Sequence, residues 1–271
     1  MPEDCRVSPT KPIRLIVADV DGCITRGSYQ PFDLEVLALI GENNRRSLSD
    51  PLVPALTFCT GRPLAYVQAL QQACHCHHPA IAEFGAVMWD AETHTHAIHP
   101  AYTSEDRRLY EAILADAEQA FGTAGEKQVL IEAGKLCQLT LYPRPPMTAA
   151  ILAEHAREFS ERWSKYFATD VTTAVINYLP RAVNKGTAIE WLAGVVGLGL
   201  DEMAGLGDSA SDWLFMEKCA VSAAPSNAVA PLLQKADWNL VGGAAECVAE
   251  LYDRLLAYNR AALDNGIAAT S

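Results

Sequence analysis

The sequence predicts an α/β protein: a Rossmann-like parallel-sheet core interrupted by an inserted α+β domain. Three observations carry that expectation. Short apolar runs at 14–19, 55–59, 203–207, 219–223 and 237–241 alternate with helical patterns at 63–74, 186–197, 212–218, 227–235 and 244–260, the alternation that builds βα units and a parallel sheet. The middle of the chain has a different texture, made of hairpins and helices. The 271 residues, 50% hydrophobic and 20% charged, have an ordinary globular composition and suffice for a sizeable core in one or two domains.

Taken in order, the first strand is the apolar run through Leu15-Ile16-Val17, and it leads into Ala18-Asp19-Val20-Asp21-Gly22-Cys23-Ile24-Thr25. Residues i and i+2 of an extended chain share a face. Asp19 and Asp21 would then stand side by side at the end of a buried strand, which is unfavourable unless a positive charge lies between them. The local alternative is a hairpin turned by Asp21-Gly22, with Cys23-Ile24-Thr25 as a short return strand. The polar stretch Gly41 to Pro54 reads as a loop. The second strand, Ala55 to Cys59, runs into Thr60-Gly61-Arg62.

From residue 86 to 98 apolar positions alternate around the polar tip Asp90-Ala91-Glu92-Thr93, and 128–133 with 136–142 flank Ala133-Gly134-Lys135 as a second hairpin. Helices are predicted at 104–121 and 147–166, and a strand from Ala174 to Leu179 closes the segment. The chain thus divides into a core of residues 1–85 and 182–271 and an insertion of residues 86–181, the size of a small domain. After the insertion Asn184-Lys185-Gly186 opens a helix, and Gly207-Asp208-Ser209-Ala210-Ser211-Asp212 follows the strand from Met203 to Leu206. Loops after the strands of an open parallel sheet gather along one edge, where ligands bind. Asp19, Asp21, Thr60, Asp208 and Lys185 are therefore expected to converge. Each also has a local explanation: Thr60 as a strand end, Lys185 as a solvated first-turn lysine, Asp208 or Ser209 as a helix cap with Asp212 in the first turn.

The net charge of −12, from 33 acidic and 21 basic residues, repels nucleic acid and anionic membranes. An anionic substrate would need a local cation or metal. The start of the chain, MPEDCRVSPTKPIR, lacks the apolar centre of a signal peptide, and the longest apolar run, Trp191 to Leu200, is too short to span a bilayer. The expected location is the cytoplasm. The scattered cysteines, among them Cys23, Cys59, Cys137, Cys219 and Cys247, sit in apolar segments as small hydrophobes rather than a disulfide framework. Cys74-His75-Cys76-His77-His78, with His94, His96 and His99 beyond it, has the ligand types for zinc but not the spacing of paired ligands, and reads as a polar helix end and a surface hairpin.

In order and wording these motifs resemble the haloacid dehalogenase superfamily of phosphatases: Asp19-Val20-Asp21-Gly22 as its first motif, Thr60-Gly61-Arg62 as the second, Lys185 as the third, and Gly207-Asp208-Ser209-x-x-Asp212 as the fourth. The run from Asn184 to Asp212 and the later Asn227-Ala228 are similar to the sugar-phosphatase branch with a type IIB cap. The resemblance implies a phosphatase acting on a small phosphorylated metabolite, a sugar phosphate or a phosphoglycolate-like acid. It implies Asp19 as nucleophile, Asp21 as acid and base, Thr60, Gly61 and Lys185 around the phosphoryl group, and Mg2+ held by the Asp19 carboxylate, the Asp21 backbone carbonyl and Asp208, with Asp212 ligating directly or through water. Three positions depart from the family pattern: Cys23 where Thr is usual after the Gly, Ser211 where Asn is usual, and Phe84 where Asn usually precedes the Gly of Glu83-Phe84-Gly85-Ala86.

Two other functions fit the same motifs. A phosphomutase of the phosphomannomutase type would need a cap rich in phosphate-binding cations, and Lys127, Lys135, Arg144, Arg157, Arg162 and Lys165 form no sequence cluster. A noncatalytic phosphate-receiving or binding domain also uses paired acids, a Thr and a Lys on a parallel sheet. Such receivers are shorter and lack a distal Gly-Asp-Ser-x-x-Asp.

Overall fold

The structure, a computed structural model, describes residues 10–27, 30–121 and 129–270. Lys127, residue 128 of the expected strand, Cys5 and most of the acidic start of the chain lie outside the described residues. The first strand, β1 (Leu15–Ala18), is wholly buried. Its neighbours are β2 (Ala55–Phe58) on one side and, from the far end of the sequence, Met203–Leu206 on the other, both parallel. Alternate side chains of β1 feed two different packing layers. Ile16 and Ala18 join one that includes Leu37, Val67 and Leu251, whereas Leu15 and Val17 join one with Ile189, Leu192 and Phe215. A strand clothed on both faces needs an unbroken apolar run, which is why it was legible in the sequence.

Between β1 and β2 lies a helix, α1 (Leu34–Ser47), which overturns part of the expected loop at Gly41 to Pro54. Asp33 caps it, accepting from the Glu35 and Val36 N–H groups at 3.1 and 3.3 Å. Asn44, fully buried, explains the misleading polarity: its amide donates to the Leu56 and Cys74 carbonyls at 3.2 and 2.8 Å and accepts from the Leu56 N–H at 2.6 Å. A satisfied buried amide reads as a loop residue in sequence but serves here as a bracket between elements.

After β2 the chain forms α2 (Leu64–Ala73) and then an antiparallel sheet of β3 (Ala80–Ala82), β4 (Val87–Asp90) and β5 (Thr95–Ile98). Val87 packs in the same layer as β1, with Ile98 against it, so this hairpin is built onto the central sheet's packing. Next come α3 (Ser104–Phe121), β6 (Val129–Ile131), β7 (Leu139–Pro143), α4 (Ala149–His155), α5 (Arg157–Trp163), β8 (Phe167–Val171) and β9 (Ile176–Pro180). The four strands make an antiparallel sheet in the order β6-β7-β9-β8. Leu139, Leu141, Ile176, Tyr178 and Phe167 turn one face of it onto α3, α4 and α5, forming a third core. The expected helix at 147–166 is two short helices, and β8 was not anticipated.

The chain then returns to the central sheet through α6 (Lys185–Val196), β10 (Met203–Leu206), α7 (Ala210–Met216), β11 (Val221–Ala224), α8 (Ala230–Lys235), β12 (Trp238–Asn239) and α9 (Cys247–Thr270). The sheet order is β12-β11-β10-β1-β2, all parallel. No helix among the described residues is long and apolar enough to cross a membrane. The seven described cysteines carry free thiols.

Candidate active site

The loops leaving β1, β2 and β10 and the first turn of α6 meet at the carboxyl edge of the central sheet. Lys185, 2% exposed, reaches across to two of the predicted acids, donating to Asp19 Oδ1 at 2.8 Å and Asp212 Oδ1 at 2.6 Å. Asn184 aims it: as N-cap its side chain accepts from the Gly186 and Thr187 N–H groups, fixing the turn on which Lys185 is first. Burial alone would lower the Lys185 ammonium, and the two carboxylates outweigh it and hold its proton on.

Asp212, fully buried, uses its other oxygen to order the β10–α7 loop, accepting from the Asp208 and Ser209 N–H groups at 3.2 and 2.9 Å and from the Ser209 hydroxyl at 2.6 Å. Asp19, Asp208 and Asp212 each offer an oxygen within 4.8 Å of the others, the only such group of His, Cys, Asp or Glu among the described residues. Cys74 and Cys76 instead lie in the core packing. Burial, with Asp212 nearby and against the pull of Lys185, pushes the Asp19 carboxyl up to about 7. Burial and repulsion from Asp19 and Asp212 push Asp208 up to about 8. Three crowded oxygens, two of them reluctant to ionise, fit a hard divalent cation by donor type and by charge.

Gly22 has φ 88°, and a Cβ there would lie 2.1 Å from Asp208 Oδ2. The turn is not a hairpin. The Ile24 and Thr25 N–H groups both return to the Val20 carbonyl at 2.9 Å, and Asn227 Nδ2 donates to the Gly22 carbonyl at 2.9 Å. Asp21 stands apart from the three-carboxylate group. Its carboxylate is gripped by Arg62, Nε to Oδ2 at 2.6 Å and Nη2 to Oδ1 at 2.7 Å, while the Arg62 guanidinium stacks over Tyr66 with 4.8 Å to the ring centroid. Thr60, 1% exposed, turns its hydroxyl to the Arg62 N–H at 3.2 Å. Gly61 faces the Phe84 ring so closely that a Cβ would sit 2.2 Å from it, and the same ring lies 5.4 Å from Lys185 Nζ.

Asp19, Asp21, Thr60, Gly61, Lys185 and Asp208 all border one cleft of about 630 Å3. Its opposite wall is the face of the β6-β7-β9-β8 sheet turned away from the third core. Strand register aligns Thr140, Asn177 and Asp170 in a row across three strands, joined by hydrogen bonds of 3.0 and 3.1 Å. The motif Thr60-Gly61-Arg62 assigns no role to Arg62, and the sequence motifs give none to Glu83 or the Thr140–Asn177–Asp170 row. Only the Arg62 position carried a signal, an arginine two residues after Thr60 at a strand end.

Residues 141–250, which contain Lys185, Asp208 and Asp212, match the family model described as haloacid dehalogenase-like hydrolase. Over that stretch the chain is similar to the haloacid dehalogenase-like hydrolases. Along nearly its whole length the chain is also similar to two phosphoglycolate phosphatases. That of Staphylothermus marinus is 23% identical over 255 residues, covering 90% of this chain and 98% of the relative. That of Sulfolobus acidocaldarius is 23% identical over 250 residues, covering 90% and 97%. Among solved structures, Thermoplasma acidophilum 0175 superposes with a TM-score of 0.69 at 17% identity, covering 90% of this chain and 98% of the other. The sucrose-phosphatase of Synechocystis sp. PCC6803, solved with sucrose and phosphate, gives 0.60 at 15%, covering 90% and 98%. At these identities the structural likeness speaks for the haloacid dehalogenase-like fold.

Proposed function

We propose that this protein is a Mg2+-dependent phosphatase that hydrolyses a small phosphorylated metabolite through an aspartyl phosphate on Asp19. The observation that supports it most is the burial of Asp19 between Lys185 and the Asp208–Asp212 loop at a strand end. Asp19, Asp208 and the Asp21 backbone carbonyl would hold the ion, with Asp212 bracing Asp208. Bound there, Mg2+ would neutralise the carboxylates and the approaching phosphate. Asp19 Oδ1 is engaged by Lys185, and its second oxygen attacks phosphorus as the bond to the leaving oxygen breaks. Asp21 gives that oxygen a proton, then takes one from the water that attacks phosphorus and frees Asp19. Thr60 and Lys185 carry the charge on the non-bridging oxygens.

The insertion 86–181 is proposed as the cap, its hairpin β4–β5 staying with the core and the sheet built on the third core closing the cleft. A neutral polyol is the favoured leaving group. The cleft's distal wall presents hydroxyls, amides and the carboxylates of Glu132 and Asp170, and its cations are already engaged: Lys135 by Glu132 at 3.1 Å, Arg62 by Asp21, Arg26 by Glu246 at 3.0 Å. Of the other described cap cations, Arg144 and Arg157 are exposed and Arg162 pairs with Asp116, which supports hydrolysis over a mutase. A phosphoglycolate-like acid is the second reading, favoured by the names of the two relatives. A panel of sugar phosphates, glycerol phosphates and phosphoglycolate assayed with Mg2+ decides between them. Turnover that persists in chelator would sink the metal assignment, and a marked preference for phosphoglycolate would sink the polyol one.

A further inference from the structure

Glu83, Phe84 and Gly85 have φ values of 52°, 54° and 113°. Two successive non-glycine residues in the left-handed region persist only where surrounding contacts over-determine them, and those contacts are unusually directed. The Glu83 N–H donates to the Arg62 carbonyl at 3.1 Å and the Phe84 N–H to the Thr60 carbonyl at 3.0 Å. The carbonyl between them, that of Gly61, accepts from Lys135 Nζ and from Gln138 Nε2 at 3.0 Å. All three carbonyls of the Thr60–Arg62 loop are thus held, one of them by the insertion. The Glu83 carboxylate, fully buried, accepts from the Leu136 N–H at 3.0 Å and the Cys137 N–H at 2.9 Å. One residue therefore grips the core loop with its backbone and the insertion's turn with its side chain.

We propose that Glu83 is a positioning residue: by anchoring the 135–138 turn, whose Lys135 and Gln138 hold the Gly61 carbonyl, it fixes Gly61 and Arg62 and, through Arg62, aims the carboxylate of Asp21. This rests on Asp21 being the acid and base of the preceding section. If the turn withdraws, Glu83 is left as a buried carboxylate without its donors and the Gly61 carbonyl loses two partners, so the docked arrangement is favoured. Thr60 keeps core contacts of its own, its N–H on the Ile81 carbonyl and its carbonyl on the Phe84 N–H, both at 3.0 Å, and the hydrogen bonds of Lys185 to Asp19 and Asp212 involve neither segment. Docking of the insertion is thus coupled to proton transfer more than to phosphoryl binding.

The test compares wild type with Glu83→Gln, whose amide would set N–H donors against those of Leu136 and Cys137, and with Lys135→Met, which spares the strained segment and serves if the first variant does not fold. Hydrogen exchange should speed up in both the 132–138 and the 58–66 peptides. kcat/KM for an alkyl phosphate, whose leaving oxygen needs a proton, should fall about tenfold or more, while that for p-nitrophenyl phosphate changes by less than about threefold. A purely structural role would lower both substrates by one factor. That equal loss, or faster exchange confined to 132–138, overturns the proposal. A wild type inactive on every phosphate ester would instead refute the acid/base reading, and the exchange measurement would still decide whether the two loops are coupled.

Discussion

Gly22 shows how tightly single residues are specified at this site. Any side chain there would both strain a backbone at φ 88° and strike Asp208. Gly22→Ala is expected to lose Mg2+ binding, read by titration calorimetry, and to cost about 1 kcal/mol or more in urea unfolding; unchanged metal affinity would show that Asp208 is not a ligand. Asp19 and Asp208 make a second prediction at this scale. Their carboxyls, at about 7 and about 8 in the metal-free fold, lie above the unfolded value of about 3.9. The folded state therefore holds protons that the unfolded state releases. Their contribution is greatest below the unfolded value and is lost as pH rises through the folded ones. In chelator, Tm should fall from about pH 5 to about pH 8, and Mg2+ should stabilise more at the higher pH. Asp208→Asn should flatten that slope, and an equal slope in the variant would contradict the assignment.

At the scale of elements, α6 matters less for its length than for its first turn. Asn184 caps it and is answered by the Thr187 hydroxyl, 3.1 Å from the Asn184 N–H, so the lysine that neutralises Asp19 and Asp212 leaves a fixed point. Asn184→Ala is expected to cost about 1 kcal/mol of stability and to lower kcat more than it raises KM, because a displaced Lys185 fails the transition state before it fails the ground state. A pure stability loss with intact kcat would mean that Lys185 finds its position without the cap. The β7, β9 and β8 register is the counterpart on the opposite wall. Alternation sends Leu139, Leu141 and Tyr178 into the third core and leaves Thr140 and Asn177 facing the cleft.

For the whole molecule, the consequence is a division of labour between two sheets. The parallel sheet brings the acids, Thr60 and Lys185 to one edge, and the antiparallel sheet covers that edge with hydroxyls and amides. Asn177→Ala should raise KM for polyol phosphates about fivefold while leaving phenyl phosphate within about twofold, since one hydrogen bond to the leaving group is worth about 1 kcal/mol. Equal effects on both substrates would show that this wall does not read the leaving group. Replacing residues 104–179 by a short Gly/Ser linker should free Glu83 from its partners in the insertion and remove discrimination among larger substrates. A truncated chain with the full substrate ranking would refute the cap.

What the sequence by itself determined was whatever depends on neighbours along the chain. The apolar run of β1 required a strand buried on both faces, and the sites after β1, β2 and β10 followed from the rule that parallel strands end on one edge. Asp19, Thr60, Lys185 and Asp208 were expected to meet for that reason, and Asp212 through the resemblance of Gly207-Asp208-Ser209-x-x-Asp212 to a family motif. Tertiary structure alone decided what depends on residues distant in sequence. Asn44 is polar and helical because a residue of β2 and the end of α2, 12 and 30 residues on, satisfy its amide. Asp21 parts from the other acids because Arg62, 41 residues away, offers a bidentate fork. Glu83 meets Cys137 across 54 residues. A hydrogen bond is fixed within a few tenths of an ångström, and a linear pattern of hydrophobicity carries no information at that precision about which distant donor will arrive.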